Sequence, residues 1–155
     1  MAEEGVDQME FCFKPIEKES LDIINTWDYD GFIEKVIMKP YYESLKTKGK
    51  LIGPGGSEGF VAYSDQEPVG LFEYIVDGKQ LEIGLALRPD LVGRGYGKTF
   101  VEQGIKFGTE YYPGTINSIK LTVDVDNKPA IRVYEKAGFK LIGQEGNEVK
   151  MHMFL

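Results

Sequence analysis

Apolar and polar positions along the chain change period several times, and each change marks an element. From Phe11 the run FCFKPI predicts a first strand. Leu21, Ile23, Ile24 and Trp27, introduced by Glu19-Ser20, fit a short helix. A second helical stretch runs from about Gly31 to Leu45, with Phe32, Val36, Ile37 and Tyr41 at helical spacing. Pro40 is expected to kink or divide it, since proline has no amide hydrogen to donate. The segment TKGKLIGPGGSEG, with five glycines and a proline, predicts a loop. Strands follow at about 59–64, 69–76 and 80–87, with Gln66-Glu67-Pro68 and Asp77-Gly78 supplying turns, so an antiparallel meander is expected.

The period then lengthens. Residues 95–112 place Tyr96, Phe100, Val101, Ile105, Phe107 and Tyr111 at helical spacing before Pro113-Gly114. Gly97, Gly104 and Gly108 would leave one side of this helix thin enough for close approach to a sheet. Ile119, Leu121, Val123 and Val125 alternate with polar residues as in a strand. Asn127 reads as an N-cap with Pro129 in the first turn, and Gly138 as the C′ residue of the helix that follows. FKLIGQ and EVKMHMFL predict two closing strands. The sum is an α/β fold: one domain over residues 11–155, preceded by an acidic tail at residues 1–10.

Composition narrows the class. The 155 residues are 42% hydrophobic and 12% aromatic, enough for a packed core and unlike a disordered chain. No apolar run approaches the ~20 residues of a membrane span. The start, MAEEGVDQME, has neither the basic residues nor the apolar stretch of a signal peptide, which predicts a cytoplasmic protein with no membrane partner. Cys12, the single cysteine, permits no intramolecular disulfide and no cysteine-built zinc site, and no metal is expected. The net charge of −7 argues against non-specific nucleic-acid binding. That charge is uneven: residues 1–87 carry −9, residues 88–140 carry +3 and the remainder −1.

The net-positive stretch contains the most informative turn. In LEIGLALRPDLVGRGYGKTF, a strand ending near Leu87 leads into Gly93-Arg94-Gly95-Tyr96-Gly97, which opens a helix. Glycines let backbone amides face an anion, and the helix N-terminus adds positive potential. Arg94 and Lys98 add to it, and a pyrophosphate fits. The pattern is neither GxxxxGK[ST] nor GxGxxG, so a Walker-type hydrolase and a dinucleotide fold are unsupported. In the strand itself Leu81, Ile83, Leu85 and Leu87 face one way, while Glu82, Gly84 and Ala86 face the other. A carboxylate among small residues suits either a groove beside a catalytic acid or close helix packing.

Here the chain resembles the GNAT-superfamily N-acetyltransferases. Their phosphate signature, [QR]-x-x-G-x-[GA], is similar to Val92-Gly93-Arg94-Gly95-Tyr96-Gly97. A second element, N-x-x-A-x-x-x-Y-x-x-x-G-F, is matched by Asn127, Ala130, Tyr134, Gly138 and Phe139. The resemblance spans roughly residues 11–155. It implies a mostly antiparallel central sheet of six to seven strands with about four helices on both faces, strands four and five splayed. It also implies acetyl-CoA as donor and a small-molecule or peptide amine as acceptor, joined in a ternary complex, in a monomer or homodimer. Leu85, Ala86 and Leu87 would pair with the pantetheine amides, and Gly93, Arg94, Gly95, Tyr96, Gly97 and Lys98 would hold the pyrophosphate. Asn127 would line the pantetheine arm. Val92 departs from the pattern by standing where Gln or Arg is usual; Arg94 or Lys98 would replace that contribution.

Acyl transfer needs a neutral amine and a protonated leaving thiolate. Tyr134 is the expected general acid, its phenol having an ordinary pKa of ~10. Glu82 is the leading base, acting directly or through water, and Glu73 on the adjacent strand competes with it. The sole histidine, His152, reads as an ordinary sheet residue. Trp27, Tyr29 and Phe32, with Glu73, are the candidate acceptor contacts. Residues 17–43 carry seven acids and three bases, which suits a polyamine, an aminoglycoside or a peptide amino terminus. A catalytically weak acyl-CoA-binding or regulatory protein of the same fold is the alternative, kept open by Val92.

Overall fold

A computed structural model describes residues 9–31 and 36–155. Seven strands form one sheet: β1 (Cys12–Pro15), β2 (Glu58–Ser64), β3 (Glu67–Asp77), β4 (Gln80–Leu87), β5 (Ser118–Asp124), β6 (Lys140–Glu145) and β7 (Glu148–Phe154). Their order is β1-β2-β3-β4-β5-β7-β6. Every neighbouring pair is antiparallel except β4 and β5. Four α-helices accompany the sheet: α1 (Lys18–Ile24), α2 (Lys39–Lys48), α3 (Gly97–Tyr111) and α4 (Lys128–Ala137). Among the described residues no helix is long and apolar enough to cross a membrane.

Two clusters divide the core between the faces of the sheet. On one face Phe60, Phe72, Tyr74 and Leu81 pack with Phe100, Val101 and Ile105 of α3 and Tyr134 of α4. On the other, Val61 and Leu71 pack with Leu21 and Ile24 of α1 and Tyr41 of α2. The close approach of α3 rests on its glycines. A Cβ at Gly104 would overlap the Phe72 ring, and one at Gly108 would lie 2.6 Å from Tyr74 Cε1. Tyr74 fastens the contact by donating its hydroxyl to the Gly104 carbonyl at 2.6 Å.

Several boundaries differ from the sequence expectation. The first helix begins earlier, at Lys18, because the Ser20 hydroxyl accepts from the Glu17 amide and donates to the Glu17 carbonyl, 3.0 Å each. It ends at Ile24, so Trp27 lies in the following loop. Pro40 neither kinks nor divides a helix: it occupies the first turn of α2, where no amide hydrogen is required, and residues 36–38 are not helical. Residues 32–35 of the expected helix, and most of the acidic tail, lie outside the described residues. The β2–β3 turn is made by Asp65 and Gln66, both left-handed (φ 51° and 67°), and Glu67 and Pro68 already belong to β3. The third helix starts at Gly97, with Tyr96 as its N-cap. Asn127 caps α4 as expected, its side chain accepting from the Ala130 amide at 3.3 Å, and Gly138 ends it at φ 109°.

Candidate functional site

The sheet is forked at its centre. Registered pairing of β4 with β5 covers only Gln80–Glu82 against Ser118–Lys120. Beyond Glu82 the two strands part, and the backbone of β4 decides what faces the opening. The Arg88 amide donates to the Val69 carbonyl at 2.8 Å, and the β3–β4 register continues unbroken from there. Residues of an antiparallel strand alternate between bonding their partner and facing away from it. Ala86 therefore turns its amide and carbonyl toward β3, while Ile83, Leu85 and Leu87 present theirs to the fork. Leu85 and Leu87 are half-buried there because no neighbouring strand covers them. The Leu87 carbonyl accepts the hydroxyl of Tyr29, so this buried tyrosine of the α1–α2 connection sits at the end of β4.

The glycine turn follows directly. Arg88 is held by Asp90 through Nε at 2.6 Å and Nη2 at 3.1 Å, and by the Pro68 carbonyl at 3.3 Å. A short 3-10 turn, Pro89–Leu91, then leads to Val92, whose backbone is extended (φ −68°, ψ 136°). Gly93 and Gly95 are left-handed, at φ 78° and 88°, a conformation other residues adopt at a cost. A Cβ at Gly97 would come within 3.1 Å of Val133, so this glycine lets the start of α3 rest against α4. Arg94 and Lys98 are exposed, and the first-turn amides of α3 have no acceptor of their own within the helix. Together these form a cationic, amide-rich cradle beside the fork. The turn and the fork fit an extended pyrophosphate-bearing cofactor.

The two faces of the fork differ chemically. On the α3–α4 face, Tyr134 is buried in the cluster that contains Ile83 and Val123, with Leu85 and Leu87 packed against it. Its ring meets Phe139 edge-on at 5.9 Å. On the α1–α2 face stand the carboxylates. Glu82 is half-exposed and pairs with Lys120 at 3.6 Å, in the closed part of the sheet. Glu73 opposes Gly84 in the β3–β4 register. Burial pushes its carboxyl above the ordinary range, and a hydrogen bond from Tyr41, 2.5 Å to Oε2, partly offsets this.

The expected acceptor residues separate. Tyr29 reaches β4, Trp27 packs at the edge of the α1–α2 cluster, and Phe32 lies outside the described residues. Tyr42 bonds Asp22 at 2.6 Å, which raises its phenol to about 12, and Lys18 sits 5.6 Å from its ring. His152 lies opposite Lys120 and Lys140 and against Phe154, as an ordinary sheet residue does. Tyr41 was legible as an apolar helical position and as one of the aromatics of the acceptor region; its contact with Glu73 depends on how α2 crosses β3. Volume alone would not find this site, since a groove of about 840 Å³ runs instead along the outer edge of β1, past Lys14 and Tyr63.

Comparison with known proteins agrees with this geometry. The model of the acetyltransferase (GNAT) family matches residues 21–139. The spermidine N(1)-acetyltransferase of Escherichia coli (strain K12) is 25% identical over 140 residues, covering 84% of this chain and 73% of that protein. Among solved structures, the spermidine N-acetyltransferase of Vibrio cholerae in complex with CoA and spermine superposes with a TM-score of 0.69 at 18% identity, covering 93% of this chain and 95% of that one. The N-acetyltransferase PseH of Campylobacter jejuni gives the same TM-score at 19% identity, covering 93% and 97%. These superpositions establish the fold.

Proposed function

Because the chain belongs to the GNAT family of acetyltransferases, we propose that it transfers the acetyl group of acetyl-CoA to a primary amine of a polyamine, by direct attack in a ternary complex. One observation carries the reading: near the fork between β4 and β5, a buried phenol, Tyr134, stands on one face of the sheet, and a half-buried carboxylate, Glu73 of β3, on the other. A proton donor and a proton acceptor on opposite sides of one opening suit a reaction that removes a proton from the nucleophile and delivers one to the leaving group.

The residues that would hold the cofactor follow from the backbone. Leu85 and Leu87 offer strand-like partners to the pantetheine amides, while Ala86 contributes only its small side chain. The amides of Gly93 to Lys98, with the charges of Arg94 and Lys98, would take the pyrophosphate, and Asn127 would flank the pantetheine arm. Acetyl-CoA, when bound, supplies an electrophilic thioester and a thiolate leaving group. Tyr134 Oη donates the proton that the departing sulfur needs. Glu73 takes the proton from the incoming ammonium; a carboxyl raised by burial is a stronger base near neutral pH than an ordinary one. Glu82, already paired with Lys120, is assigned an electrostatic part on the same face rather than the proton transfer. A cationic acceptor also suits the seven acids among residues 17–43.

A thiol-release assay with acetyl-CoA against spermidine, spermine, an aminoglycoside and a peptide amino terminus tests the reading. Turnover is expected with the polyamines. Tyr134→Phe is expected to lower kcat about 100-fold while calorimetric CoA affinity stays within about 3-fold. CoA binding without turnover on any amine would replace the enzyme by an acyl-CoA-binding protein, the role Val92 leaves open.

A further inference from the structure

The surroundings of Glu73 are built around a single phenol. Tyr41, wholly buried on α2, donates to Glu73 Oε2 at 2.5 Å. The other oxygen, Oε1, stands 3.5 Å from where a Cβ at Gly84 would be, so it lies over that glycine. Two further glycines make room for the phenol. A Cβ at Gly53 would come 2.6 Å from Tyr41 Oη, and one at Gly59 would overlap that hydroxyl. The loop carrying Gly53 is itself fastened: the Gly53 amide donates to the Ser57 carbonyl at 2.8 Å, and the Ile52 amide to Ser44 Oγ of α2 at 2.8 Å.

The remaining elements bring little charge to Glu73. From β2 its register partner is Gly59, and from β4 it is Gly84. Glu82 shares the face but is engaged by Lys120, which projects from β5. Helix α1 turns Leu21 and Ile24 toward this core, and Ser57, before β2, is buried close to the Tyr41 hydroxyl.

We propose that Tyr41 is a positioning residue for acceptor deprotonation: its clamped hydroxyl commits Glu73 Oε2 and thereby directs Oε1 over Gly84 toward the incoming amine. The inference rests on Glu73 being the base. In the step, Oε1 takes one proton from the acceptor ammonium, leaving a neutral amine with its lone pair and a neutral carboxylic acid. Tyr41 keeps its own proton, because burial and the adjacent carboxylate both push its phenol far above the ordinary range.

Tyr41→Phe separates this role from simple packing. Loss of the donated hydrogen bond should raise the Glu73 titration, followed by carboxyl-carbon NMR, by about one unit. The acid limb of kcat/KM for spermidine should move to higher pH with it, so that the loss is confined to the acid side of the profile and recovers as pH rises. In a Glu73→Gln background the same substitution should change the rate less than about 2-fold. An unmoved Glu73 titration overturns the proposal. A titration that moves while the rate profile stays fixed overturns Glu73 as base, and leaves the Tyr41–Glu73 coupling standing. Gly84→Ala, whose added Cβ makes only ordinary contact with Oε1, covers the case in which Tyr41→Phe does not fold. It should lower kcat/KM for spermidine about 10-fold, with kcat falling as well, and an unchanged kcat/KM counts against Oε1 as the acceptor-facing atom.

Discussion

Glu73 and Glu82 show how far one residue's role depends on its surroundings. Along the chain they are two strand carboxylates, Glu82 read as the leading base and Glu73 as its competitor. In the fold both are half-buried, one against a phenol and the other against an ammonium. The difference has a measurable consequence in stability. A carboxyl raised by burial binds its proton more tightly in the folded protein than in the unfolded chain. Its contribution therefore favours folding below the ordinary value of 4.5 and is lost as pH climbs through the raised one. Glu73→Gln should remove that loss, so the variant gains stability relative to the parent as pH rises above 4.5 in urea unfolding. Stability curves that stay parallel over this range would show that Glu73 does not ionise in a buried site.

At the scale of elements, α3 is the clearest case of sequence and structure agreeing for one reason. Gly104 and Gly108 were legible as a thin helix side, and they meet Phe72 and Tyr74 of β3. Gly104→Ala should raise helix propensity yet destabilise the protein by about 1–3 kcal/mol through overpacking, a fall in Tm of about 3–10 °C. A Tm at or above the parent's in a thermal melt would mean that α3 can lift away from the sheet. The helix around Pro40 was misread for the opposite reason. Apolar spacing cannot distinguish a proline that breaks a helix from one that begins it; the first turn has amides to spare. The Asp65-Gln66 turn carried no glycine to announce its left-handed residues, so the turn was placed too late.

Over the whole molecule part of the charge division acquires a location. The net-positive residues 88–140 contain the cradle next to the fork, while Leu21, Ile24 and Tyr41 of α1 and α2 pack on the opposite face. CoA at about 100 times its Kd should stabilise the fold by about 2.7 kcal/mol, raising Tm by about 5–10 °C. Replacing Arg94 and Lys98 together by alanine should shrink that shift, and added salt should shrink the parent's as well. An identical shift in both proteins would move the anion site away from the glycine turn.

The sequence by itself determined the alternation of strands and helices, the glycine turn and the Asn127–Phe139 element. All of these depend on local backbone preference and on spacing within one segment. Leu85, Leu87, Gly93, Gly95 and Tyr134 were named from it because each lies in or beside such a segment. Only the tertiary structure decided that Ala86 points its backbone at β3, that Tyr29 reaches Leu87, and that Tyr41 holds Glu73. Those facts follow from inter-strand register and from the path of α2 across the sheet, which bring together residues 32 to 58 positions apart. Nothing in local spacing encodes which of two carboxylates on neighbouring strands the packing sets against a phenol.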